Sequence, residues 1–367
     1  MATSGRLLSL DVMRGITIAG MIMVNNPGSW KYVYAPLRHA AWNGLTPTDL
    51  VFPFFMFIMG VSMFFSLRKY NYQWSAESVG KILKRTFLIF LVGFGLNLLV
   101  HISYNGFTRF DEIRILGVLQ RLAIAYGAGS LIGLLVKPKH IPLVAGVLLL
   151  FYWALLSLTG STSLSENNLI AVVDRAIFGT SHMYHEYTPE GVRIAFDPEG
   201  LLSSLGSIAQ VLLGFYAGKL IVNSHKNNET VIRNLFIFGT ILLFAGFLLN
   251  YGCPINKKLW SSSFVLATSG FASLFLALLV WIIDIKGKKK WTLFFEAFGI
   301  NPLYLYVQAD ILVILLDISG ISAFLYMDFF RPLCGNFGGS LAWAVFFVVL
   351  NWIPGYWLYK KQIYIKL

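Results

Sequence analysis

Residues 37–55, LRHAAWNGLTPTDLVFPFF, set a histidine, a tryptophan, an asparagine and an aspartate at the mouth of a phenylalanine-rich run. Histidine takes up and returns a proton near neutral pH, so His39 is the candidate general base, with anchoring at a membrane boundary as its plainer alternative. Asp49 stands three residues after Thr46, with Pro47 between them. That spacing predicts a capping box and a proline in the first helical turn, which is a structural reason for the acid. Upstream, VNNPGSW (24–30) closes an apolar run. An asparagine is ordinary at a helix end, yet the amide of Asn25 is also able to donate to an oxyanion as charge builds on a carbonyl.

Five further stretches carry polar groups into apolar surroundings. In RLLSLDVMRG (6–15), Asp11 and Arg14 are three apart and share a helical face, either as a boundary ion pair or as part of a cofactor entrance. In RILGVLQRL (114–122), Arg114 and Arg121 are seven apart and are expected on one face of a helix over 113–136. Arg121 would then lie roughly 10 Å inside the helix end, where an arginine costs about 2.5–3.5 kcal/mol and needs a partner or an anion. Gln120 points about 100° away from it. In FDPEGLLSSLGSI (196–208), Asp197 is expected to cap a helix, with Pro198 in its first turn and Glu199 free to hold a cationic sugar. NKKLWSSSFVLATSGFA (256–272) is rich in small residues and reads as close helix packing or as a ligand groove. FEAFGINPLYLY (295–306) should break at Gly299 and Pro302, as helices that line membrane cavities do. None of these is a nucleotide-binding loop, a zinc site or a serine hydrolase elbow.

The elements that position these groups follow from composition. Charged residues make up 13% of the 367-residue chain, against about 25% in a soluble domain, and hydrophobic ones 57%. The reading is an all-α polytopic membrane protein in a single transmembrane domain, 1–367. Ten apolar runs are long enough to span: 8–27, 46–67, 82–101, 113–136, 141–159, 200–222, 233–251, 260–284, 292–317 and 340–360. The even count puts both termini on one side. Lys and Arg crowd the short loops that share that side, so both termini are expected in the cytoplasm, with 28–45, 160–199, 252–259 and 318–339 outside. The long connection 160–199 is expected to form part of a substrate vestibule. The first run has no convincing cleavage site and is expected to stay as a span. The net charge of +12 fits loop asymmetry better than nucleic-acid binding, for which no aromatic-interleaved basic domain is present. Cys253 and Cys334 match no metal spacing; a disulfide between two outer loops is possible, and two free thiols are the simpler expectation.

The order of these stretches resembles the transmembrane family of the lysosomal heparan-α-glucosaminide N-acetyltransferase and its bacterial NagX-type relatives. The matching pieces are RLLSLDVMRG, the VN at 24–25, HAAWNGLTPTDLVFPFFMFIMG (39–60), RILGVLQRL, FDPEGLLSSLGSI, NKKLWS and GINPLYLY. The resemblance implies acetyl transfer across a bilayer, from cytoplasmic acetyl-CoA to the amine of an amino sugar on the far side. It places the active-site histidine at His39 and its companion asparagine at Asn25. The acceptor sugar is expected near Asp49, Trp42, Asn43, Asp197 and Glu199. Acetyl-CoA is expected near Arg114, Gln120, Arg121, Asn256, Lys257, Trp260, Ser261 and Asn301, with Arg14, Lys81, Lys84 and Arg85 placed to hold its phosphates. A homodimer is implied, and no metal.

Five residues precede RLLSLD here, where the resemblance implies a luminal domain in the lysosomal member. That favours a bacterial inner-membrane protein acting on glucosamine or a related amino sugar. An amino-sugar permease and an O-acyltransferase of surface polysaccharide are the competing readings.

Overall fold

The structure, a computed structural model, describes residues 7–188, 191–224 and 227–365. Long apolar runs become helices because a chain in lipid must close its backbone hydrogen bonds internally. Among the described residues, nine helices are long and apolar enough to cross a membrane, and a bent pair brings the number up to ten. The helices are α1 (Leu8–Asn25), α2 (Val51–Leu67), α3 (Ala76–Asn105), α4 (Val118–Leu135), α5 (Ile141–Leu158), α6 (Leu169–Phe178), α7 (Ser204–Asn223), α8 (Asn228–Leu249), α9 (Ser262–Leu279), α10 (Thr292–Ile300), α11 (Pro302–Ile318), the short α12 (Ile321–Phe324) and α13 (Arg331–Lys360). A π-helical turn, Val280–Ile285, extends α9. Between α6 and α7, β1 (His185–Tyr187) pairs antiparallel with β2 (Arg193–Ala195).

Two compact units are present. The first takes in described residues of 1–39, 46–55 and 278–366. Here α1 and α10 meet backbone to backbone. A Cβ on Gly15 would lie 1.8 Å from the Phe295 carbonyl oxygen, and one on Gly299 would lie 2.2 Å from that of Asp11. The helix over 292–317 breaks as expected: α10 and α11 diverge by 88° at Asn301. Its side chain explains the stable break, since Nδ2 donates to the Ile363 carbonyl and Oδ1 accepts from the Ile365 amide.

The second unit takes in residues 40–45 and 56–277. Its centre is α7, where glycines again bring backbones together. A Cβ on Gly214 would come within 2.1 Å of the Phe57 carbonyl oxygen, and one on Gly60 within 2.1 Å of that of Val211. A core of Tyr152, Ile170, Phe196 and Leu259 fastens the 160–199 connection to α5, and Trp42 packs against it.

Three local expectations are corrected. Helix α4 begins at Val118 rather than 113, so Arg114 and Arg121 do not share a helix face. The backbone of 113–116 is satisfied from the side and needs no helical ladder. Asn97 donates to the carbonyls of Arg114 and Leu116, and the Ile115 amide donates to His182. Likewise α7 begins at Ser204 rather than 200, and Asp197 does not cap it. Its carboxylate is drawn to Arg114 instead. Cys253 and Cys334 are free thiols, and Cys334 lies in the first turn of α13 rather than in a loop.

Candidate functional site

In the first unit the chemistry gathers on His39. Residues 47–50 form a 3-10 turn that opens α2, with Thr46 as its cap and Pro47 in its first position. The capping box forms as the spacing predicted. Asp49 Oδ2 accepts from the Thr46 amide at 3.1 Å and lies 2.9 Å from the Thr46 hydroxyl. Its other oxygen, Oδ1, is 2.7 Å from His39 Nδ1. Asp49 is fully buried, whereas the His39 side chain is 39% exposed.

The loop is pinned to this turn. Thr48 Oγ1 donates to the Pro36 carbonyl, Thr46 Oγ1 lies 2.8 Å from that of Arg38, and Arg38 Nε donates to that of Val33. An ionised carboxylate only accepts hydrogen bonds, so against it a neutral ring would carry its proton on Nδ1 and its lone pair on Nε2. A ring held by a carboxylate at Nδ1 resembles the orienting half of a catalytic triad.

Asn25 ends α1 and is exposed, and its side chain has no hydrogen-bond partner among the described residues. Arg14 bonds to Asp11 at 3.1 Å, as their spacing predicted, and to the Gly299 carbonyl at 3.2 Å. Asn301, expected near acetyl-CoA, has both ends of its amide engaged by residues 363 and 365.

In the second unit an arginine–carboxylate cluster forms between residue 114 and the 160–199 connection. Arg114 bonds to Asp197 through Nε at 2.9 Å and Nη2 at 2.6 Å, and to Glu199 at 2.6 Å. Its guanidinium also covers the Tyr184 ring. Burial pushes the Asp197 carboxyl up. The charge and hydrogen bonds of Arg114, with the Tyr184 and Glu199 amides, outweigh that and hold it below the usual carboxylate range.

Arg121 is wholly buried, donates through Nη2 to the Pro198 carbonyl and to Ser203 Oγ, and lies over the Trp260 ring. Gln120 sits in the space left by Gly93, where a Cβ would crowd its amide. Asn256 donates to Asn43, and its Oδ1 accepts from the Leu259 amide. Ser261 accepts from the Asn256 amide and donates to the Pro254 carbonyl. Trp42 donates to the Thr162 carbonyl. Residues 42–43 are thereby fixed to the two connections that carry the other polar groups.

Lys257 is half-buried, and Lys84 and Arg85 are exposed on α3, with Arg85 over the Tyr126 ring. Lys81 pairs with Glu77 at 2.6 Å.

Sequence reasoning missed Asp174 and the Glu186–Lys258 ion pair, which spans 2.9 Å. Asp174 is fully buried on α6 and accepts from the Leu201 amide. Burial raises its carboxyl to about 7, against the lowering effect of that bond. The one signal for it was an acid, followed by Arg175, within the apolar run LIAVVDRAIF.

A family model described as heparan-alpha-glucosaminide N-acetyltransferase, catalytic, matches residues 6–189. The human heparan-alpha-glucosaminide N-acetyltransferase is 31% identical over 357 residues, covering 83% of this chain and 53% of the relative. The mouse protein of the same name is 29% identical over 378 residues, covering 85% of this chain and 54% of the relative. The chain thus spans about half the length of the curated relatives it matches. The matched region contains the His39–Asp49 pair, Arg114 and Arg121, and the chain belongs to the heparan-alpha-glucosaminide N-acetyltransferase family.

Proposed function

We propose that this protein is a transmembrane N-acetyltransferase that moves the acetyl group of acetyl-CoA to the amine of glucosamine or a related amino sugar. The observation that carries this reading is the His39–Asp49 pair: a half-exposed imidazole held by a buried carboxylate at 2.7 Å. An amine attacks a thioester only as the neutral base, so a proton must leave it. In the proposed reaction the amine nitrogen bonds to the acetyl carbon and His39 Nε2 takes the amine proton. The C–S bond then breaks, and the proton returns to the departing CoA sulfur. Asp49 keeps the ring in the required tautomer and faces the positive charge it acquires. If His39 instead attacks first, Nε2 bonds to the acetyl carbon as the C–S bond breaks and CoA leaves as the thiolate, and the amine then takes the acetyl group as the N–acetyl bond to Nε2 breaks and the amine proton passes to the imidazole. Asn25 is our candidate donor to the developing oxyanion.

In this reading acetyl-CoA is taken from the cytoplasm and the acceptor from the periplasm, in a bacterial inner membrane, by a homodimer. The clustering of Lys and Arg in one set of loops supports that orientation.

The test is to incubate detergent-purified protein with acetyl-CoA and a panel of amino sugars and to seek new N-acetyl products by mass spectrometry. Product from the native chain and none from His39→Ala is the expected result. Sugar uptake into proteoliposomes without acetyl-CoA, and with no new amide, would overturn it.

A further inference from the structure

Lys286, Lys288, Lys289 and Lys290 fall within five residues, between the end of the α9 span and the start of α10. Lys360 and Lys361 end α13 some seventy residues later. The fold brings the two groups to one end of the first unit. Glu296 on α10 is the link. Thr292 Oγ1 lies 2.8 Å from the Lys289 carbonyl oxygen and 2.5 Å from Glu296 Oε1, while Glu296 Oε2 accepts from the Tyr359 hydroxyl at 3.2 Å. The lysine loop is also folded back on its own helix, the Lys286 amide donating to Trp281 and that of Lys288 to Ile282. Gly287, at φ 64°, supplies the left-handed turn between them.

All six lysines are exposed, and none makes an ion pair within the described residues. The neighbouring carboxylates are Glu296, held by Thr292 and Tyr359, and Asp284, within electrostatic reach of Lys289. Positive charge is therefore in clear excess. Exposed Trp281 and Trp291 flank the loop, with Lys286 Nζ 5.5 Å over the Trp281 ring and Lys360 Nζ 5.0 Å over that of Tyr356. Aromatic rings with lysines at the ends of apolar spans sit at headgroup depth, where basic clusters attract anionic lipid.

We propose that these six lysines form a shelf that holds the phosphodiester headgroup of an anionic phospholipid, with Trp281 and Trp291 against its glycerol and upper acyl chains. Shared phosphate chemistry makes a soluble phosphate ester the competing source.

Native mass spectrometry of detergent-purified protein titrated with phosphatidylglycerol or phosphatidylcholine tests this. Retention of phosphatidylglycerol in preference to phosphatidylcholine is expected, weakening about fivefold for each lysine removed. The quadruple variant Lys286→Gln, Lys288→Gln, Lys289→Gln, Lys290→Gln and the double variant Lys360→Gln, Lys361→Gln should both lose it. The second, smaller change keeps the test open if the first fails to fold. A control, Lys137→Gln, Lys139→Gln, removes like charge elsewhere and should retain lipid as the native chain does. Equal retention of phosphatidylcholine, unchanged retention in the double variant, or equal loss in the control would sink the proposal. So would displacement of the lipid by adenosine 3′,5′-bisphosphate at matched concentration, which would reassign the shelf to a soluble ligand.

Discussion

Asp49 divides its two carboxylate oxygens between jobs: Oδ2 closes the cap of the turn that opens α2, and Oδ1 lies 2.7 Å from Nδ1 of His39. One side chain thus ties the position of the imidazole to the start of a membrane helix. For the proton transfer proposed for His39 such rigidity matters, because a small displacement from the reacting nitrogen lowers the rate steeply.

Asp49→Asn should lower kcat for acetyl transfer by about 10²–10⁴-fold. The amide offers either a donor or an acceptor to Nδ1, so the tautomer is no longer fixed. KM for acetyl-CoA should change less than kcat. A steady-state comparison with native protein checks this, and an unaltered kcat would remove Asp49 from the positioning role.

Arg114→Ala should destabilise the fold by about 3–5 kcal/mol, because it leaves Asp197 as a buried carboxylate without its cation. Arg114→Lys should recover only part of the loss, since an ammonium cannot reproduce the two parallel bonds. Thermal unfolding in detergent reads both. Equal stability of Arg114→Ala and native protein would mean the cluster is not structural.

Asp174 makes stability depend on pH. Its carboxyl titrates at about 7 in the fold against an ordinary value of 3.8, so the folded state holds the proton more tightly. That contribution is full below about pH 4 and is lost as pH rises through about 7. Asp197 runs the other way. Its lowered carboxyl contributes above the ordinary 3.8 and loses that only as pH falls through the folded value, so it adds little slope between pH 5 and 8. Native protein should therefore unfold at a lower temperature at pH 8 than at pH 5, and Asp174→Asn should flatten that difference. The same slope in the variant would place the responsible group elsewhere.

Gly214→Ala should be among the most damaging single-methyl additions, because the new Cβ would lie 2.1 Å from the Phe57 carbonyl oxygen and the obstacle is backbone. Overpacking of this kind costs typically about 1–3 kcal/mol. Gly146→Ala, which meets nothing within 4 Å, is the matched control and should behave as native. Expression and unfolding temperature of the two variants decide the point.

The sequence by itself determined the helices, their approximate ends, the break at Asn301 and the cap at Thr46–Asp49. Each depends on residues within one span or one turn of each other: lipid demands continuous apolar runs, and proline, glycine and short polar side chains act on adjacent backbone. Only the tertiary structure decided that Asp49 meets His39, that Arg114 lies outside α4 and meets Asp197 and Glu199, and that Asp174 is buried on α6 against the Leu201 amide. Those pairings join residues from 10 to 85 positions apart. No local pattern encodes them, because a side chain's partner is fixed by which helices pack together and by the need of each buried polar group for a bond.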